Sequence, residues 1–374
     1  MAFKIFVNGG YWFTHTNTHF PISKIDTNLF THLFCGGCVS INPQTYELSI
    51  SNSTKPLIDQ FSKAIKEKNH EVKTLLSINE SEDDAKGDHG RFAAMARDSS
   101  NRATFIRSLI SKARESNFDG VDLQWLYPSS REEMANFEAL ILECYNDFVK
   151  EGKECHKPRL ILVATVFYLP YIGKDDGVMY PIETMRRTLD WVNVIAYDIF
   201  TPISSSNETG PSSALFNNPS KATLGGYFGI RTWIEKGMPT KRMIFGLPFH
   251  GWAWKLERSY NHNVFSPAQG PAQGQNISME GLIEYRNVKK FIVDNNNVTN
   301  VLIDHKYPIA YTHCDNTWIA YESEETITAK IAKAKINLAM LGYFASNVAA
   351  DDDHHSLAKA ASREWRKSYG YYWW

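Results

Sequence analysis

The chain has 374 residues, 43% apolar and 22% charged, with 40 basic against 41 acidic side chains and a formal charge of −1. That length buries a substantial core, as one large domain or one domain with a sizeable insertion, and the composition excludes a disordered chain. Charges scattered this evenly leave no electrostatic footprint for nucleic acid or an anionic membrane, and no stretch approaches the roughly 20 apolar residues of a bilayer-spanning helix.

The first residues, Met1-Ala2-Phe3-Lys4-Ile5-Phe6-Val7, enter a strand-like run directly, without the charged region, apolar segment and cleavage site of a secretory leader. As written, the chain reads as cytoplasmic. Against that stand Asn-x-Ser/Thr triplets at Asn52, Asn79, Asn207, Asn276 and Asn297, which read either as relics of a secreted ancestor or as marks of a secreted or vacuolar protein whose leader has been trimmed. The cysteines Cys35, Cys38, Cys144, Cys155 and Cys314 are sparse and odd in number, so reduced thiols are expected and not a disulfide scaffold. Cys35-Gly36-Gly37-Cys38 has the Cys-x-x-Cys form but lies in a strand-like segment without a second pair, so neither a metal nor a cofactor is expected.

In chain order, short apolar runs predict eight strands, at 4–8, 31–35, 73–78, 120–126, 160–167, 191–198, 243–249 and 342–345. Helical patterns separate several of them. The clearest follows the fourth strand, where Ser130-Arg131-Glu132-Glu133 reads as a capping box and Phe137, Leu140, Ile141, Cys144 and Phe148 fall on one helical face. Strand and helix alternating eight times predict an α/β fold, a (β/α)8 TIM barrel. The long interruption between the seventh strand and the last helix-strand unit predicts a small α+β insertion over 255–321, leaving 1–254 and 322–374 as the barrel. Short stretches at 291–293 and 318–321 look like strands of that lobe, and the doubled Pro-Ala-Gln-Gly at 267–274 looks like a loop.

Phe118-Asp119-Gly120-Val121-Asp122-Leu123-Gln124-Trp125-Leu126-Tyr127-Pro128 resembles the Asp-Gly-x-Asp-x-Asp-x-Glu signature on the fourth strand of family 18 chitinases, with two of its four acidic positions altered. The resemblance extends along the chain through Gly9-Gly10-Tyr11-Trp12-Phe13, Thr31-His32-Leu33-Phe34-Cys35, Ala196-Tyr197-Asp198, Gly246-Leu247-Pro248-Phe249, Gly251-Trp252-Ala253-Trp254 and Leu341-Gly342-Tyr343-Phe344. It is similar in particular to plant class V chitinases. The resemblance implies a glycosidase in which the last Glu protonates the glycosidic oxygen while the substrate's own N-acetyl oxygen attacks the anomeric carbon. Here that position is Leu126, which has no proton to give, and the preceding Asp, which orients the acetamido group, is Gln124. The chain is therefore expected not to cleave chitin.

Strand alternation puts Asp122, Gln124 and Leu126 on the inward face and Asp119 on the other. Asp122 then reads either as a buried carboxylate held by neighbouring donors or as a catalytic group. Other positions implied by the resemblance have changed too. The family's sugar-stacking Trp after the eighth strand is Ser346, and its third-strand Ser-x-Gly-Gly is Ser77-Ile78-Asn79-Glu80. Tyr197 and Asp198 match its Tyr-Asp pair, Trp254 matches an aromatic residue at the seventh-strand mouth, and His250 replaces an aromatic residue. The run Asp351-Asp352-Asp353-His354-His355 has metal-ligand residue types but also opens the last helix, where carboxylates suit the helix dipole.

Two function classes remain. A lectin, inhibitor or storage protein could lose the acid freely, but a chitin-binding lectin is expected to keep the tryptophan floor. A barrel recruited to a small plant metabolite fits the new histidine and the lost floor better. On that reading Asp122, Tyr197, Asp198 and His250 are the candidate acid and base groups. Tyr11, Asn79, Glu80, Gln124, Leu126, Trp252, Trp254 and Ser346 are the expected ligand-binding positions. The expected partner is a small-molecule or carbohydrate ligand, bound by a monomer.

Overall fold

The structure is a computed structural model, and it describes residues 6–37, 39–79, 90–173, 177–218, 225–295 and 301–368. Eight parallel strands close into a barrel: Val7–Phe13, His32–Gly36, Lys73–Ile78, Gly120–Leu123, Ile161–Phe167, Trp191–Ile195, Met243–Leu247 and Gly342–Ala345. Around the barrel, hydrogen-bonded neighbours run first, eighth, seventh, sixth, fifth, fourth, third, second. This is the (β/α)8 TIM barrel that the alternation predicts.

The strand ends differ from expectation in both directions. The first strand runs to Phe13 and not only to residue 8, because Gly9 and Gly10, which look like a break, stay in register with His32 and Leu33. A parallel strand covered on both faces needs no apolar alternation, so the glycines carry no turn signal here. The fourth strand stops at Leu123 and the sixth at Ile195, three residues short each, where the chain leaves the ladder to form the strand-end loops. Gly120 is required where it stands: a Cβ there would lie 2.5 Å from the Ile161 carbonyl oxygen of the neighbouring strand.

The helix after the fourth strand, Arg131–Glu154, begins as its sequence dictates. The Ser130 hydroxyl accepts the Glu133 N–H at 3.1 Å, and Glu133 returns a bond to the N–H of Ser129 at 2.6 Å, one residue earlier than a standard capping box. Its buried face carries Phe137, Leu140, Ile141, Cys144 and Phe148.

The chain divides into two compact units, Met1–Ile195 with Ile230–Phe245, and Ala196–Gly229 with Gly246–Trp374. The second unit contains a six-stranded sheet that opens with His250–Leu256 and continues through Ala268–Pro271, Leu282–Glu284, Leu302–Asp304, Ile309–Cys314 and Thr317–Tyr321. Its core holds Phe200, Trp252, Trp254, Leu256, Tyr307 and Trp318. Two local expectations are corrected. Residues 291–293 belong to a helix, Tyr285–Asp294, whose buried Tyr285 and Val288 stand three apart. The Pro-Ala-Gln-Gly repeat supplies the edge strand Ala268–Pro271, an edge being where proline costs the ladder least. Among the described residues no helix is long and apolar enough to cross a membrane.

Candidate active site

In the first unit the inward fourth-strand carboxylate is Asp122, and it is fully buried. Its Oδ2 accepts from the Tyr11 hydroxyl at 2.7 Å, the Ser77 hydroxyl at 2.8 Å and the Gln124 amide at 3.0 Å, while Oδ1 accepts from Thr165 at 2.9 Å. Asn193 Nδ2 in turn donates to the Tyr11 oxygen at 2.5 Å. The register explains the convergence: Ser77 stands opposite Asp122, and Asn193 opposite Thr165, on adjacent strands. Three of the four donors crowd Oδ2, while Oδ1 keeps one lone-pair position beside its bond from Thr165. Burial pushes the Asp122 carboxyl above its usual range, although the bonds from Tyr11, Gln124, Ser77 and Thr165 pull against that. Burial and the Asp122 charge push the Tyr11 phenol well up as well. These four bonds hold the Asp122 carboxylate in place.

Gln124 is buried and bound to Asp122. Leu126 lies past the strand end, 40% exposed. Asn79 follows the third strand with its Oδ1 buried and without a partner among the described residues. Glu80 and Cys38 lie outside the described residues. Asp119, outward on the fourth strand, accepts the Thr74 N–H at 2.9 Å and pairs with Lys66 at 3.0 Å, a structural role.

The second unit gathers a different set. Asp198, three residues beyond the sixth strand, accepts His250 Nε2 at 2.9 Å and the Trp252 indole N–H at 2.6 Å on the same Oδ1. Asp198 sits at φ +56°, a left-handed conformation that non-glycine residues rarely adopt, and one that concentrates at functional sites. His250 is the first residue of a strand and not a loop histidine, with its side chain only 11% exposed. The Tyr197 ring stands edge-on to the imidazole at 5.8 Å. Ser346 Oγ is 3.5 Å from His250 Nδ1. Burial pushes the His250 imidazole down, but the Asp198 charge and hydrogen bond, with Glu284 and Glu322 farther off, carry it above its ordinary value.

Trp254 requires a correction as a ligand-binding residue. It is fully buried, its indole N–H donates to the Ser205 carbonyl at 3.0 Å, and its ring packs edge-on against Trp318, so it offers no face to a ligand. The strand beginning at His250 carries Trp254 into the lobe core while holding Trp252 on Asp198. Asp351 is likewise occupied: its carboxylate accepts backbone N–H groups of Asp352, Leu357 and Ala358 and caps the last helix, Ser356–Arg366. Thr165 and Asn193 complete the Asp122 cluster beside Ser77 of the third-strand motif, but carry no motif of their own. Only knowledge of the cross-strand register would have singled them out.

A closed eightfold barrel of this kind places whatever chemistry it carries at the C-terminal ends of its strands. The chain belongs to the glycosyl hydrolases family 18, whose model matches residues 7–351. It is 39% identical over 359 residues to a class V chitinase of Arabidopsis thaliana, covering 96% of this chain and 89% of that protein. Among solved structures it is similar to the class V chitinase from Nicotiana tobaccum, with a TM-score of 0.89, 33% identity and coverage of 97% of this chain and 100% of that one. A chitinase-like agglutinin from Robinia pseudoacacia gives a TM-score of 0.84 at 34% identity, covering 96% of this chain and 99% of that one.

Proposed function

We propose that this chain is a family 18 protein that does not cleave chitin and instead binds and converts a small plant metabolite by acid-base chemistry. The observation that supports this is the His250–Asp198 pair, 2.9 Å apart, with the imidazole largely removed from water and the aspartate held by Trp252. Such a pair can give and take a proton near neutral pH. At the end of the signature, Leu126 has no proton to donate, and Gln124 supplies an amide already bound to Asp122. The test incubates the purified chain with chitohexaose and separately with a plant extract. No reducing ends should appear from the sugar, and a compound in the extract should be consumed by the parent but not by His250→Gln. Chitin cleavage at the rate of an active relative would end the proposal.

A second reading is favoured by the similarity to the agglutinin: a carbohydrate-binding protein without turnover. Calorimetry with chitotetraose separates the two. Ser346 lacks the roughly 150–250 Å² that an indole would bury against a sugar ring, so recruitment predicts weak binding. A micromolar dissociation constant would favour the binding protein.

A further inference from the structure

Ser346 lies one residue past the eighth barrel strand and is 8% exposed. Its backbone N–H donates to the Leu247 carbonyl at 2.9 Å, and its Oγ accepts the Phe249 N–H at 3.1 Å. The same Oγ faces His250 Nδ1 at 3.5 Å, while His250 Nε2 meets Asp198. In the neutral imidazole, a proton on Nε2 serves Asp198 and leaves the Nδ1 lone pair turned toward the serine hydroxyl. A separation of 3.5 Å is long for a hydrogen bond but has the looseness that an unliganded nucleophile and base show. The third member is fixed in advance, because Trp252 binds the Asp198 oxygen that orients the imidazole. Nucleophile, base and orienting carboxylate thus stand in series within one unit of the chain.

We propose that Ser346 is a nucleophile activated by His250 and Asp198, and that the chain transfers the acyl group of a small carboxylic ester through it. The proposal rests on the His250–Asp198 chemistry given above and adds the bond-forming residue and the substrate class. In the first step the bond from Oγ to the acyl carbon forms as the hydroxyl proton passes to Nδ1 and the carbonyl π pair moves onto oxygen. That pair then returns, the bond to the alcohol oxygen breaks, and the departing alcohol takes the proton from Nδ1. Water or a second alcohol reverses the sequence: its oxygen bonds to the acyl carbon, its proton goes to Nδ1, the bond to Oγ breaks, and Oγ recovers the proton. The Phe249 N–H stabilises negative charge on the serine oxygen as it leaves. No oxidant or cofactor enters the balance.

The base must be neutral to act. The groups facing it are Asp198, Tyr197, Trp252 and Ser346, with Glu284 and Glu322 at longer range, and the carboxylates among them hold the imidazolium. The acyl-transfer rate should therefore rise with pH along a limb above the ordinary histidine range.

The experiment treats the purified full chain with a fluorophosphonate probe and with p-nitrophenyl acetate. Peptide mass spectrometry should place the phosphonate on Ser346, Ser346→Ala should show neither adduct nor ester cleavage, and His250→Gln should slow labelling roughly a hundredfold or more. In Ser346→Cys, iodoacetamide should label the thiol along a pH limb that moves to the ordinary thiol range in Ser346→Cys/His250→Gln, a readout a merely structural histidine would not move. A parent chain that carries no adduct on Ser346, or a Ser346→Ala variant that cleaves the ester as the parent does, overturns the proposal. An extract compound converted equally by the parent and Ser346→Ala, yet not by His250→Gln, overturns the nucleophile and leaves the acid-base reading standing.

Discussion

At the residue scale, Leu126 bears on activity and Asp122 on stability. Leu126 can be reversed on paper, but Leu126→Glu alone should release no measurable reducing ends from chitohexaose. On the proposed reading, Gln124 brings to the signature an amide already bound to Asp122 and no negative charge. Substantial recovery in a reducing-end assay would show that the remaining site is still a sugar site. Asp122 concerns stability. Tyr11→Phe removes one of its four donors and leaves the Asn193 amide without its 2.5 Å acceptor, so the variant should lose about 1–3 kcal/mol in urea unfolding. An unchanged midpoint would mean that the cluster is rehydrated or rearranged.

At the element scale, the helix Glu324–Ala332 is anchored by a buried ion pair. Lys330 and Glu322 are 1% and 0% exposed at their side chains and bond directly, and Lys330 also reaches the Ser213 carbonyl and hydroxyl. Ser323 and Thr326 form the helix's capping box, and the Thr326 hydroxyl donates to Glu322 at 2.6 Å, so cap and ion pair form one network. Burial pushes the Lys330 ammonium down, and the Glu322 charge and hydrogen bond pull against that. Lys330→Met should cost about 3–5 kcal/mol, because it leaves a buried carboxylate uncompensated, while the double variant Lys330→Met/Glu322→Leu should recover much of the loss. Denaturant unfolding of the three proteins measures both effects, and equal destabilisation by the single and double variants would refute the account.

At the scale of the whole molecule, two histidines set opposite limbs of the stability profile. Burial holds the His32 imidazole down at about 4, against an ordinary 6.5, so the unfolded chain binds a proton that the folded chain does not between those values. Stability is then lost as pH falls from 6.5 toward 4, by about 3 kcal/mol. His250 has the opposite sign. Its folded value is raised, so its contribution is full below the ordinary histidine value and is lost as pH rises through the folded one. The melting temperature should peak near neutrality, with the acid limb flattened in His32→Asn and the alkaline limb in His250→Gln. If neither variant alters its limb in a scan from pH 4 to 9, other groups control the profile.

The barrel itself was legible because each strand is a short apolar run and the intervening helices keep their own period, a local signal that survives any arrangement around it. Its ends were less legible: Gly9 and Gly10 look like a break in isolation, and only pairing with His32 and Leu33 shows that they are strand. The signature and its substitutions at Gln124 and Leu126 were likewise readable, since residue identity at a motif position needs no coordinates. By itself, then, the sequence determined the fold class and where the chain differs from the signature it resembles. Tertiary structure decided which polar residues meet. Ser77, Thr165 and Asn193 converge on Asp122 through strand register, and Ser346 approaches a histidine 96 residues away. It also decided that Trp252 orients an aspartate while Trp254, two residues on, is sealed in the lobe core. Hydrogen bonds between distant segments depend on register and loop geometry, and neither is encoded in the local pattern of apolar and polar residues.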